Sequence, residues 1–137
     1  CLIDHFSAIA DIENIRLYSM QKGKPAEYLK HQKPTFQLMD LQDSIKDFSD
    51  TAAVIHHLNL VLTVDTSVAH LAGAMGKPTW LLLPFIPDWR WMLDRCDSPW
   101  YPSIRLFRQP KRGDWTGVFE MVKQELIETG GNVKLPV

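Results

Sequence analysis

The stretch "LVLTVDTSVAHLAGAMGKPTWLLL" (60–83) decides how this chain folds. Leu60 to Val64 is a nearly continuous apolar run, the pattern of a parallel strand covered on both faces. Asp65-Thr66-Ser67 then opens a helix to about Met75, and Gly76 supplies the stop. Lys77-Pro78 leads into a second buried strand, Thr79-Trp80-Leu81-Leu82-Leu83. Strand, helix and strand in such close succession predict a parallel pair joined by a right-handed crossover.

Working outward, the same alternation continues in both directions. Toward the amino end, Asp4 to Glu13 places Phe6, Ile9, Ala10 and Ile12 near helical spacing. Ile15 to Met20 reads as a short strand stopped by Lys22-Gly23-Lys24-Pro25. After a polar stretch, Phe36 to Leu41 reads as another strand, interrupted by Gln37 and Asp40. Ser49 and Asp50 are N-cap candidates for a helix through Asn59. Toward the carboxyl end, a long loop rich in Pro and Trp (84–102) precedes a strand at Ile104 to Phe107. Trp115, Val118, Phe119, Val122 and Leu126 mark a closing helix, and residues 129–137 are expected to be a loose tail. The reading is one α/β domain over residues 1–137, a doubly wound parallel sheet with helices on both faces.

Composition narrows the function classes. With 15 basic and 16 acidic side chains and a net charge of −1, there is no basic stripe to neutralise nucleic-acid phosphates. No apolar run is long enough to span a bilayer, so no membrane span is expected. Cys1 and Cys96 make neither a disulfide framework nor a metal-ligand spacing, which suits a reducing compartment such as the cytoplasm. The opening residues carry no basic n-region of a signal peptide and no initiator Met, and they enter directly into an amphipathic pattern, as a piece of a longer chain would.

Ligands of open parallel sheets bind beyond the carboxyl ends of the strands. That rule nominates Gln21-Lys22-Gly23, the loop from Asp40 to Asp50, Asp65 to His70, and the loop from Pro84 onward. A helix that starts just after a buried strand presents unpaired N–H groups and a dipole that favours an anion. Thr66 and Ser67 add hydroxyls there, and Ser67 and His70, three apart, lie on nearly the same helical face. Gly73 and Ala74 continue that face with little bulk, leaving room for backbone or ligand. The set suits a diphosphate, with Asp65 accepting from a ribose or sugar hydroxyl. Capping and packing account for the same residue types about equally well. Lys22 is as well explained as a solvated turn lysine, and Ser49, Asp50 and Thr51 as caps. In Pro87-Asp88-Trp89-Arg90-Trp91, Arg90 is placed to meet an anion while stacked between rings. The bland reading is that Trp89, Trp91, Trp100 and Tyr101 pin the loop to the sheet, with Asp94, Arg95 and Asp97 in surface ion pairs.

Three blocks, "LYSMQKG" (17–23), "DFSDTAAVIHHLNLVLTVDTSVAHLAGAMGKPTWLLLP" (47–84) and "PDWRWMLDRCDSPWYPSIRLFRQ" (87–109), cover about half of the chain. In this order they resemble the C-terminal half of family 9 and related family 41 glycosyltransferases, of the bacterial kind joined to tetratricopeptide repeats. The resemblance implies a GT-B enzyme, with two Rossmann-like domains facing each other across a cleft. It implies sugar transfer from a nucleotide-sugar donor held mainly by the C-terminal domain, with no cofactor and no obligatory metal. It places Asp65, Thr66, Ser67 and His70 at the donor diphosphate and adjoining sugar, with Lys22, beside Gln21, at the same edge. Asn59 stands where the family has an aspartate.

By the same resemblance, the N-terminal acceptor domain and the first strand of the C-terminal domain are missing. In the order 3-2-1-4-5-6 that strand is central, so its absence opens a gap before the strand at 60–64. Either the sheet re-pairs, or a second chain fills the gap, or the strand assignment is shifted; an unfilled edge would favour association with another copy. The catalytic base commonly belongs to the missing half, so no residue is assigned as catalytic. The fragment alone is expected to bind nucleotide weakly and to transfer no sugar. Two further readings remain: a non-catalytic interaction module that has kept the half-fold, and, ranked well below, a sugar-nucleotide epimerase, which would require ring-facing acids and further histidines on the same edge, whereas His56 and His57 sit near a helix end rather than in a clear pair.

Overall fold

The computed structural model describes residues 3–31 and 33–130. A 3₁₀ turn (Ile3–Phe6) leads into α1 (Ser7–Ala10), followed by β1 (Leu17–Ser19), α2 (Lys24–His31), β2 (Leu38–Asp40) and α3 (Phe48–His57). Then come β3 (Val61–Val64), α4 (Ser67–Ala74), β4 (Thr79–Leu83), a 3₁₀ turn (Trp89–Trp91), β5 (Ile104–Arg108) and α5 (Trp115–Glu128). The fold is α/β with every named strand pairing parallel, as expected for a Rossmann-like domain.

The strands form two sheets. In one, β1 pairs with β2, Leu17 opposite Leu38. In the other the order is β3-β4-β5, with Val64 opposite Leu82 and Leu83 opposite Arg108. Among the described residues β1 and β3 do not pair, so the two sheets stay separate.

Alternation along β4 and β5 sends side chains to two cores. Trp80, Leu82 and Phe107 meet Val118, Phe119, Val122 and Leu126 of α5 and Ile9 of α1 on one face. Leu81, Leu83, Ile104 and Leu106 meet Ala69 of α4 and Trp91 on the other. A third cluster joins Ile55 of α3, Val61 and Ala72 of α4. Helices therefore cover both faces of the three-stranded sheet. Lys77 fastens the end of α3, its Nζ donating to the carbonyls of His56 at 2.9 Å and Leu58 at 2.7 Å. A cation suits the carbonyl end of a helix.

Several local expectations change. The helix expected over 4–13 is a 3₁₀ turn followed by four α-helical residues, and Asn14 at φ 65 lies in the turn that follows. The polar stretch after Gly23 contains α2, which buries Ala26 and Leu29. The N-cap of α3 is Asp47, whose carboxylate accepts from Ser49 N and Asp50 N, rather than Ser49 or Asp50. Thr129 closes α5, and Thr129 N and Gly130 N donate to carbonyls of that helix. Residues 131–137 of the expected tail lie outside the described residues, as does Cys1.

Candidate functional site

Val64 is level with Leu82, so the next residues along, Asp65 and Leu83, share a level, and Leu83 is level with Arg108. The carboxyl ends of β3, β4 and β5 therefore form one rim, and α4 rises from it. Thr66 is the N-cap position of α4 but makes no side-chain cap bond. Its hydroxyl lies 3.3 Å from that of Thr63, which in turn donates to Val64 O. Capping thus does not occupy the Asp65-Thr66-Ser67 side chains, and Thr66 and Ser67 are exposed.

His70 is held from three sides. Its Nδ1 lies 3.1 Å from the Tyr101 hydroxyl, and its Nε2 is 3.8 Å from Asp65 Oδ1, an ion pair only when the ring is protonated. The imidazole stacks on the buried Trp91, with ring centroids 5.5 Å apart. Orientation by two rings and a hydroxyl leaves the Nε2 edge facing Asp65 and the start of α4. The space above Gly73 belongs to a side chain rather than to a ligand. A Cβ there would sit 2.6 Å from the Tyr101 ring and 2.9 Å from Ile104. Gly73 lets Tyr101 pack against α4 and reach His70.

The structure therefore brings Asp65, Thr66, Ser67 and His70 together. It does not connect Gln21 or Lys22 to them by any hydrogen bond or ion pair among the described residues. Lys22 Nζ donates to Gln42 O at 2.7 Å, tying the loop after β1 to the loop after β2, and Gln21 N meets Ser19 Oγ at 3.4 Å. Asp50 accepts from Lys46 N and the Thr51 hydroxyl donates to Asp47 O, so these residues organise the start of α3. His56 and His57 contact each other at the far end of α3, on the amino edge of the sheet and away from the rim.

Arg90 is not stacked between rings. The cation–π contact among the described residues joins Arg105 to Phe107, with Arg105 also paired to Glu125. Arg90 instead lies 3.3 Å from Asp88 through Nε, and its carbonyl accepts from the Trp100 indole at 2.9 Å. The four aromatics of this loop divide. Trp91 is buried and Tyr101 partly so, whereas Trp89 is 75% and Trp100 55% exposed. Asp97 pairs with Arg95 through two bonds of 2.8 and 2.6 Å, while Asp94 makes no ion pair among the described residues. The Arg95 hydrogen bond holds the Asp97 carboxyl below its ordinary range, and Asp97 raises Arg95 in return.

Two residues at the rim were not singled out by the sequence. Gln109, buried just past β5, accepts through Oε1 from Phe85 N and Gly113 N and so pins the loops after β4 and β5 together. Arg108 ends β5 and donates through Nη2 to Trp91 O at 3.2 Å, and burial lowers its pKa. The sequence signal for Arg108 was its position, a cation at the carboxyl end of a buried strand. Among the described residues, no three His, Cys, Asp or Glu side chains converge as a metal site would require, and no helix is long and apolar enough to cross a membrane.

Comparison with known proteins bears on the same region. The chain is 35% identical over 69 residues to Protein FlbA of Caulobacter vibrioides (strain ATCC 19089 / CIP 103742 / CB 15), a match covering 50% of this chain and 11% of FlbA. The matched region is thus about a tenth of that relative's length. No solved structure matches. Residues 5–82 match glycosyltransferase family 9 (heptosyltransferase), a span from α1 through most of β4 that includes the β3–α4 turn. That is more than half of the chain, which therefore belongs to glycosyltransferase family 9.

Proposed function

We propose that this chain is the donor-binding portion of a glycosyltransferase, holding the diphosphate of a nucleotide sugar at the start of α4. The observation that carries the reading is that Thr66, at the N-cap of α4, makes no cap bond, and that it stands with Asp65 and Ser67 beside an oriented His70. These polar side chains stand at the carboxyl end of a parallel strand and are not used to cap the helix they begin. The first N–H groups of α4 and two hydroxyls suit phosphate oxygens, and Asp65 suits a sugar or ribose hydroxyl. On this reading the opposite wall of the cleft, with the acceptor site and the catalytic base, comes from a second domain of the same protein, and no metal is required. The GT-B pairing and the link to tetratricopeptide repeats belong to the same proposal.

The alternative of an interaction module is favoured by one feature, the exposed Phe85, Ile86, Trp89, Leu93 and Trp100 beyond β4. The epimerase reading is weakened because His56 and His57 lie at the opposite edge from His70. Thermal-shift and calorimetric titration of the full chain with UDP, GDP, ADP and CDP, with and without magnesium, tests the proposal. One nucleoside diphosphate should stabilise the protein, since a ligand bound only to the folded state raises apparent stability. Asp65→Ala and His70→Ala should each weaken that binding by about tenfold. Absence of any response, or equal binding by both variants, would remove the donor-site reading in favour of the interaction module.

A further inference from the structure

His70 can hold an anion or repel one, and the position of its ring proton decides which. A neutral imidazole carries hydrogen on one nitrogen and a lone pair on the other. Nε2 is the nitrogen turned toward Asp65, 3.8 Å from its Oδ1. With hydrogen on Nε2, the ring offers a donor to phosphate oxygens at the start of α4. With hydrogen on Nδ1, it offers them a lone pair, and two lone pairs repel. A ligand can reach these side chains, since His70 is 38% and Asp65 26% exposed, and Thr66 and Ser67 are exposed.

Two groups act on the choice of tautomer. An ionised Asp65 can only accept, so it favours hydrogen on the nitrogen that faces it. Tyr101 stands at the other nitrogen, its hydroxyl 3.1 Å from Nδ1 and in no other hydrogen bond among the described residues. A phenol donates more readily than it accepts, because the ring withdraws its oxygen lone pairs. A hydroxyl donated to Nδ1 keeps that nitrogen bare and leaves the hydrogen on Nε2. Both partners therefore select the same tautomer. The scaffold holds Tyr101 there without help from a ligand. Its N donates to Ser98 Oγ at 3.3 Å, its carbonyl accepts from Ile104 N at 3.0 Å, and its ring lies where a Cβ on Gly73 would stand 2.6 Å away. Trp91, stacked on His70, fixes the plane of the imidazole.

We infer that Tyr101 is a positioning residue of the donor site. Its hydroxyl donates to His70 Nδ1 and so makes the neutral imidazole a hydrogen-bond donor through Nε2, directed at a phosphate oxygen of the bound nucleotide. This role rests on the donor-site reading and deepens it, since it assigns the sense of the His70 bond. Tyr101 acts through His70 and needs no contact with the ligand.

Nitrogen NMR of the full chain with isotope-labelled histidine reads the tautomer, and His70→Ala assigns the signal. The spectra are taken at about pH 8, above the ordinary imidazole pKa of about 6.5. The same samples are titrated calorimetrically with UDP, GDP, ADP and CDP. Tyr101→Phe keeps the ring against Gly73 and removes only the hydroxyl, and Tyr28→Phe, at an exposed tyrosine of α2, is the control. Wild type should carry the hydrogen on Nε2. Tyr101→Phe should shift population toward the Nδ1 form and weaken the favoured nucleotide by about threefold to tenfold, as loss of one hydrogen bond does. Tyr28→Phe should change neither. Hydrogen on Nδ1 in wild type overturns the inference, whatever the nucleotides do. An unchanged tautomer in Tyr101→Phe overturns it even if affinity falls, because the hydroxyl would then act on the ligand itself. A changed tautomer with unchanged affinity overturns it as well. The expected tautomer in a wild type that binds no nucleotide removes the donor reading, and the role toward phosphate goes with it. If Tyr101→Phe melts early, His70→Gln and His70→Asn decide, since a glutamine amide reaches the Nε2 position and an asparagine amide the Nδ1 position. His70→Gln should bind the more tightly of the two, and equal or reversed affinities overturn the inference.

Discussion

Strands β4 and β2 are both short and parallel, yet all five residues of β4 are buried and none of the three in β2 is. The contrast arises from neighbours rather than from strand propensity. β4 has a partner on each side and helices over both faces, so every side chain it carries replaces water with protein. Among the described residues β2 has one partner, β1, whose other edge is unpaired. One region is therefore a closed core and the other an appended ribbon, and a two-stranded ribbon is weak by itself.

The largest effect that tests this contrast is a truncation in each sheet. Leu82→Ala empties a fully buried position facing α5 and should cost about 2–5 kcal/mol. Met39, 44% exposed in β2, should tolerate alanine within about 0.5 kcal/mol. Denaturant unfolding of both variants gives the comparison directly, and amide exchange should show β4 protected by far more than β1 and β2. Comparable losses in the two variants would mean that the two sheets unfold as one cooperative body despite the break between them.

The same contrast explains what could be read in advance. The segment from β3 to β4 was legible nearly to the residue because Leu60–Val64 and Thr79–Leu83 are apolar runs bounded by Asp65 and Gly76, and burial on both faces writes that pattern. The ribbon was legible only as strands that are too long, since β1 and β2 each keep three residues of the six expected. α2 is masked in the sequence because Lys22-Gly23-Lys24-Pro25 reads as a stop, although Pro is compatible with a helix's first turn and Ala26 and Leu29 sit three apart. At the site, Asp65, Ser67 and His70 are close in sequence, so their spacing sufficed. Tyr101 reaches His70 from 31 residues away, and Arg108 reaches Trp91 from 17, which no local pattern encodes.

A smaller effect follows at the junction between core and site. The sequence leaves room at Gly73 for backbone or ligand, and the structure fills that room with the side chains of Tyr101 and Ile104. Gly73→Ala should therefore destabilise, by about 1–3 kcal/mol from overpacking, despite alanine's better helix propensity. It should also displace Tyr101 from His70, so nucleotide affinity should fall together with the melting temperature. Loss of stability with unchanged nucleotide affinity would show that the Tyr101 hydroxyl is not what orients His70.

The smallest effect is expected where the geometry looks strongest, at the paired bonds between Arg95 and Asp97. Asp97 has a folded pKa below its unfolded one, so its contribution is present above the unfolded value and is lost as pH falls through the folded value. The window is therefore acidic, below about pH 4. Both side chains are partly exposed, 35% for Arg95 and 49% for Asp97, and water and salt screen such a pair. The loop does not depend on it either, because Leu106 N donates to Cys96 O at 2.7 Å and Asp97 forms an antiparallel bridge with Arg105. Asp97→Asn should leave the melting temperature at pH 7 within error of wild type and only flatten the acid limb of a stability–pH profile. A clear loss at pH 7 that vanishes in high salt would instead assign the loop's position on β5 to the ion pair, and the backbone bonds would then be its consequence.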